Sequence, residues 1–458
     1  MHKPTRLLIA LAPVLLAACY DDNHFPYGSG PGSAPQGPQA SLQVVHGSPD
    51  APPVNVLIDG SVAIPNLDYA QGTGEQQVAA GTHTIEIQAL TPGSPTTLIG
   101  PTTVTLVADT DYVFAAEGPV ASISEQTYSH PLALVGPNTT QLQFVHAAPN
   151  APSVAVYVTA PGADLSTSTP FGTASFQGAV GPTQIAAGQY EIRITAAGTP
   201  STVLFDSGTI TLGGGSDLVF SALQNEGPGT ATIFLGVVDA LGNDSSLFDV
   251  STPTNVRFIN DSPNAPALSL VANGNTATPL VPTLAYAAFS PYDSLTAGIT
   301  TIAITAASNT SSSVTSQSLD LDAGSVHSIY AVGDLSGLQP FITRDHDRRY
   351  ATQAKLRFID GSQSAGLVDV YLTAPGTSIA SVEPTYAGVA FLNDTGFVSY
   401  AAATYDLSLT PAGSKTPSVG PIAVTVINAG IYTIVLRDNA GGGMPPGVIY
   451  LDDFNGSP

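Results

Sequence analysis

Four stretches of the chain alternate apolar and polar residues with a period of two: Ile85-Glu86-Ile87-Gln88, Ile192-Arg193-Ile194-Thr195, Ile302-Ala303-Ile304-Thr305 and Leu407-Ser408-Leu409-Thr410. That period predicts half-buried strands whose aliphatic residues face a core. A slip of one residue would expose every one of them, so the register is strongly specified. Each stretch follows a denser apolar run that ends in a proline-bearing turn. The run Leu42-Gln43-Val44-Val45-His46-Gly47-Ser48-Pro49-Asp50-Ala51-Pro52 returns as Leu142 to Pro152, as Val256 to Pro266, and in decayed form from Leu356 to Ala365. Downstream, Val104-Thr105-Leu106 before Tyr112-Val113-Phe114, and Val424-Thr425-Val426 before Tyr432-Thr433-Ile434, predict a hairpin in each copy. A closing strand such as Thr232-Ile233-Phe234-Leu235 completes the unit.

Short strands punctuated by Gly and Pro in units of about 100 residues predict an all-β chain of four tandem immunoglobulin-like antiparallel β-sandwich domains. A unit of that size can bury its own core. The reading assigns residues 1–19 to a signal peptide, 20–40 to a Gly/Pro-rich tether, and 41–137, 138–252, 253–350 and 351–458 to the four sandwiches. The starts at Leu42 and Val256 differ by 214 residues, as do those at Leu142 and Leu356. A two-repeat unit duplicated whole would give this offset. The interface between copies one and two should then resemble that between three and four, with a looser junction between two and three.

Composition narrows the partners. With 34 acidic and 11 basic residues the net charge is −23, which repels nucleic acid and anionic headgroups. Charged residues are only 10% of the chain, so the folded part rests on apolar burial and neutral turns. At the N-terminus, His2, Lys3 and Arg6 precede an apolar run, Leu7 to Ala18, too short to span a bilayer. Its end, Leu16-Ala17-Ala18-Cys19, resembles the bacterial lipobox, and Cys19 is the single cysteine. The resemblance implies lipidation of Cys19 and a membrane anchor in the cell envelope. Tyr20 and Asp21, with no Asp directly after the cysteine, point by the same resemblance to the outer membrane. No thiol then remains for a disulfide.

The opening segment, a strand followed by Ser48-Pro49-Asp50-Ala51-Pro52 and Val54-Asn55-Val56-Leu57-Ile58-Asp59-Gly60, resembles the bacterial family called domain of unknown function 4397. The resemblance extends over nearly all of residues 41–458 and is loosest in the fourth copy, where Ser362-Gln363-Ser364-Ala365 lacks the prolines. It implies an exported β-sandwich module and brings no catalytic residues with it.

Candidate chemistry is sparse. His46 and His146 occupy equivalent positions and suggest a metal or a base, but Asn260 and Asp360 stand at that position in the other copies. A place that takes His, Asn or Asp is better explained by a side chain bonding the following turn. His83, beside Ile85 and Ile87, reads as a partly buried, hydrogen-bonded ring. The densest charge cluster, Arg344-Asp345-His346-Asp347-Arg348-Arg349, offers two carboxylates and an imidazole to a cation, but its three arginines oppose this and favour a solvated, salt-bridged linker. Asp109, Asp111, Asp217 and Asp322 lie near strand turns and read as turn formers. Ca²⁺ held between domains is the alternative, and no complete Ca²⁺ loop is present. No Gly-x-Ser-x-Gly elbow, phosphate loop or His-Glu-x-x-His helix occurs, so no catalytic residue, metal or cofactor is assigned. The expectation is a non-catalytic envelope lipoprotein that presents its modules to a protein partner or acts as a spacer. The alternatives are glycan binding and, less favoured, a carbohydrate-active hydrolase.

Overall fold

The computed structural model describes residues 37–453. Cys19, the signal peptide and most of the tether lie outside the described residues. In copy one, eight strands run β1 (Gln39–Gly47), β2 (Val54–Ile58), β3 (Ser61–Leu67), β4 (Gln76–Ala79), β5 (Gly81–Ala89), β6 (Thr96–Leu106), β7 (Thr110–Glu117) and β8 (Ser124–Pro131). They form two four-stranded sheets, β4-β1-β7-β8 and β3-β2-β5-β6, and the same division recurs in each later copy. The second copy adds one strand, Asp244–Leu247, to its first sheet.

The aliphatic pairs of the alternating stretches all point inward. Ile85, Ile87, Ile192, Ile194, Ile302, Ile304, Leu407 and Leu409 are each no more than 2% exposed. Each such side chain contributes roughly 1.5–3 kcal/mol by leaving water. The core of copy one joins Leu42 and Val44 of β1 to Val54 and Val56 of β2 and to Phe114 of β7.

Two local expectations are corrected. The segments ending at Leu106 and beginning at Tyr112 are not a hairpin, because β6 pairs with β5 in one sheet and β7 with β1 and β8 in the other. Leu106 and Tyr112 enter the same core from opposite sheets. The Tyr112 hydroxyl accepts from the Val107 N–H at 3.0 Å and ties the crossing turn, as Tyr432 does for Ile427 at 3.2 Å. The sandwiches are also not wholly antiparallel. Since the chain re-enters the first sheet at Thr110, β7 takes the free flank of β1 in parallel, and the equivalent strands do so in the other three copies.

The first strand is buried on both faces, which accounts for its nearly continuous apolar character. Leu42 and Val44 enter their own core, while Val45 joins Val113, Ala115, Val145, Val219 and Val238 in a second apolar layer between copies one and two. The corresponding layer between copies three and four contains Ile259, Tyr330, Val332, Ile359, Val435 and Leu451. Val45 and Ile259, like Val145 and Ile359, are separated by the 214-residue offset. The two seams therefore use the same sheet face.

The halves are not loosely joined. The segment after copy three reaches back to copy one, where the Ala351 N–H donates to Asp50 O at 2.8 Å and the Gln353 amide to Leu90 O at 3.4 Å. Phe248 of copy two lies against Gly324 of copy three.

Candidate functional site

The repeated turn has a mechanical role. Ser48 N–H donates to His46 Nδ1 at 3.3 Å, Ser262 N–H to the Asn260 oxygen at 3.2 Å, and Ser362 N–H to Asp360 at 2.9 Å. The His146 Nε2 lies 2.9 Å from Pro152 O, as His46 Nε2 lies 3.2 Å from Pro52 O. Burial, with Arg348 adding to it, lowers His46 to about 4; burial lowers His146 as well. Both rings are neutral at pH 7. In the same turn Asp50 accepts from Val120 N–H at 2.7 Å, and Asn264 accepts from Leu335 N–H at 2.7 Å, each fixing a short 3₁₀ turn. His83 is held by Asp59 at 2.7 Å and by Ala79 O at 2.8 Å.

The cluster at 344–349 is not a solvated linker. Asp345 is 5% exposed and lies in the seam between copies three and four. Its carboxylate accepts from Arg357, from Tyr292 OH at 2.6 Å, from Ser328 OH and from Thr343 OH at 3.1 Å. Arg357 also donates to Thr433 Oγ1 at 2.9 Å and Asp394 at 3.1 Å, and stacks 4.4 Å over the Phe397 ring. Arg257 reaches Ser328 Oγ at 2.7 Å, pairs with Asp453, lies 3.7 Å from Asp345 and covers the Tyr292 ring at 4.7 Å. Arg257 and Arg357 are 3% and 0% exposed. Burial alone would raise Asp345, but Arg357, Arg257, Ser328 and Tyr292 outweigh it and hold the carboxyl below its ordinary range. A wholly buried charge survives only with such partners, which is why the cluster is paired and not solvated.

The rest of the segment divides between surfaces. Arg344 stays exposed, 3.6 Å from Asp322. His346 keeps part of its surface in water and packs 5.1 Å from Phe397; desolvation of its ring by the surrounding chain and the Lys355 ammonium lower it to about 4. Asp347 lies against Gly227 of copy two, and burial raises its carboxyl. Arg348 hooks copy one, donating to Ala51 O and Asp68 while lying between the rings of Tyr69 at 5.2 Å and Tyr350 at 4.7 Å. Lys355, 3% exposed, donates to Arg348 O, and burial and Arg348 lower its ammonium to about 7.

Gln43 and Gln143 occupy the seam of copies one and two where Arg257 and Arg357 stand in the other seam. They line a cavity of about 10 Å³ together with Ser41, Glu75, Asp111, His130 and Asp217. That is room for about one water. Asp111 and Asp217 are thus seam residues, correcting the turn-former reading, whereas Asp109 at φ 54° does shape a turn. Burial, with smaller effects from its neighbours, raises Asp217 to about 6; Glu75 and Asp111 are raised for the same main reason. Among the described residues no group of three His, Cys, Asp or Glu side chains is positioned to hold a metal ion.

The sequence profile described as Domain of unknown function (DUF4397) matches residues 40–157 and 254–371, just over half of the chain. The chain belongs to this family. Each match starts on the first strand of an odd-numbered copy and runs into the second strand of the next, so the family unit crosses a seam. No curated protein sequence matches. Among solved structures, the Bacillus anthracis TIE protein is similar at 8% identity, over 84% of this chain and 65% of that one, with a TM-score of 0.16. No helix among the described residues is long and apolar enough to cross a membrane.

Arg257 and Arg357 escaped the sequence reading. The available signal was a charged residue in the middle of the most apolar strand, visible once the four copies are aligned.

Proposed function

We propose that this chain is a non-catalytic envelope lipoprotein, held to the outer membrane through a lipid on Cys19, which presents its four sandwiches to a protein partner as one stiff body. The observation that carries this reading is the segment 345–353. It is a linker by position, yet it places Asp345 between two buried arginines and Arg348 against Ala51, Asp68 and Tyr69 of copy one. A linker used in this way fixes the direction of successive modules, which serves display or spacing. The anchoring half is tested by fractionation. Cys19→Ser should move the protein from membranes to the soluble fraction, and retention of the variant on membranes removes the anchor from the proposal.

A second reading, glycan binding, draws on one surface. Copy four has an open depression of about 390 Å³ lined by Tyr386, Asn393, Asp394 and Thr395, a mix of ring and polar groups that suits a sugar face. Oligosaccharide titration of the full chain against Tyr386→Ala separates the two, since display alone predicts no saturable binding lost with that ring.

A further inference from the structure

We propose that each seam is a proton-gated latch: paired sandwiches stay docked while one buried carboxyl at the end of the seam carries a proton, and loosen as it ionises. The carboxyls are Glu117 between copies one and two and Asp261 between copies three and four.

Their placement is the first argument. In the parallel pairing of copy one Glu117 stands beside Gly47, and in copy three Asp261 stands beside Val332. Gly47 and Asp261 are equivalent, so each seam has one acid in the same row of the same sheet, contributed by adjacent strands. Both follow the parity of the seam residues, Val113 and Ala115 on β7 and Ile259 in copy three. Glu117 is 0% and Asp261 1% exposed.

Their surroundings are the second. One Glu117 oxygen accepts from Tyr128 OH at 3.1 Å, and the other has no hydrogen-bond partner. Tyr128 itself packs in the seam. Neither oxygen of Asp261 has a partner. Asp261 faces Gly361 so closely that a methyl group there would collide with its carboxylate, and Gly47 meets Ala147 in the other seam. The titratable groups around Asp261 are Asp438, Arg437 and Asp360 of copy four and Tyr286 of copy three. The Arg437 guanidinium donates to Asp438 O at 3.0 Å and lies 5.5 Å from the Tyr286 ring, so the nearest cation is also shared with two other groups. Tyr128 is the titratable group facing Glu117.

An ionised carboxylate with one donor, as for Glu117, or none, as for Asp261, opposes docking in such a place, and the neutral acid does so far less. Burial pushes Glu117 up to about 8 and Asp261 well above the usual range, the latter helped by Asp438. The docked state therefore binds a proton that the open state releases. The contribution of these two carboxyls to docking is full below the ordinary carboxylate value and weakens as pH rises toward the docked value, by up to tenfold in the open-to-docked ratio per pH unit per carboxyl.

The experiment is hydrogen exchange of the full chain from pH 5 to 9, corrected for intrinsic exchange, read at residues 110–131 and 254–261. Wild type should lose protection in both segments as pH rises. Glu117→Gln should reduce the loss at 110–131 alone, leaving the part owed to Asp111, Asp217 and Glu75, and Asp261→Asn should reduce that at 254–261 alone. Asp438→Asn, which keeps Asp261 and removes the neighbouring charge that helps raise it, should make the loss at 254–261 smaller and end it at a lower pH, and serves where Asp261→Asn does not fold. A wild-type profile without pH dependence, or one that no substitution moves, overturns the latch.

Discussion

Replacing Asp345 by Asn tests whether the buried charges hold copies three and four together. The substitution keeps the shape of the side chain and removes one negative charge from a site where its side chain is 0% exposed. One carboxylate oxygen becomes an NH₂ donor. It cannot face Arg357, which has only donors, so it must turn toward Ser328 and Tyr292, whose hydroxyls must rotate to accept. Even after that adjustment Arg357 retains only the partly exposed Asp394 as a counter-charge, and Arg257 retains Asp453. Breaking a buried pair on one side costs about 3–5 kcal/mol, against about 0–1 kcal/mol for an exposed pair. The expected loss is therefore roughly 3–5 kcal/mol in copies three and four. Urea unfolding followed by tyrosine fluorescence measures it, and hydrogen exchange over residues 254–261 and 354–360 localises it. A loss below about 1 kcal/mol would refute the reasoning, because the hub would then behave as a surface ion pair. The pH dependence adds a check of sign. A carboxyl held below its ordinary value lends stability that is present above that value and is lost as pH falls through the folded one. Wild type should therefore lose seam stability on the acid side near and below the ordinary Asp value of 3.8, and Asp345→Asn should not share that part of the loss.

Other outcomes follow from single contacts. Arg348→Ala removes the hook on Ala51, Asp68 and Tyr69, and should increase the radius of gyration measured by small-angle scattering while leaving exchange protection at both seams unchanged. Since Asp68 is 42% exposed, the stability cost should be only about 1–2 kcal/mol. Gly361→Ala inserts a methyl group against the Asp261 carboxylate and should cost roughly 1–3 kcal/mol in the seam of copies three and four, measured by urea unfolding; a neutral result would show that the two strands approach less closely than described.

Much of this fold was written in short-range pattern, and the reason is the strand's period. Ile192 and Ile194 can be assigned to a core from their own neighbours, because two residues of separation return a side chain to the same face. Partner choice has no such local signature. Nothing near Leu106 or Tyr112 says that the chain changes sheets between them, since a hairpin and a sheet crossing both need a short turn between two apolar runs. Nor does the spacing of Val44 and Val45 say that both are buried, one in its own sandwich and one in a neighbour.

The charged hub was legible only by comparing copies as a set. Strand register places Arg257 and Arg357 where Gln43 and Gln143 stand, Asp345 where His130 stands, and Asp453 where Ala240 stands. Two arginines and two aspartates thus enter the second seam at positions distributed over four segments. None of the four is stable in that setting alone, because each would be a buried charge without a counter-ion. Read singly, Arg257 interrupts an apolar strand and Asp345 belongs to a polar run, and both suggest exposure. Read against the first seam they form one neutral substitution, Gln–Gln with a water-sized cavity exchanged for Arg–Asp pairs that fill the space. The first seam keeps Glu75, Asp111 and Asp217 around that cavity without arginine, so the two halves of a duplicated chain meet their neighbours through the same face and with different electrostatics.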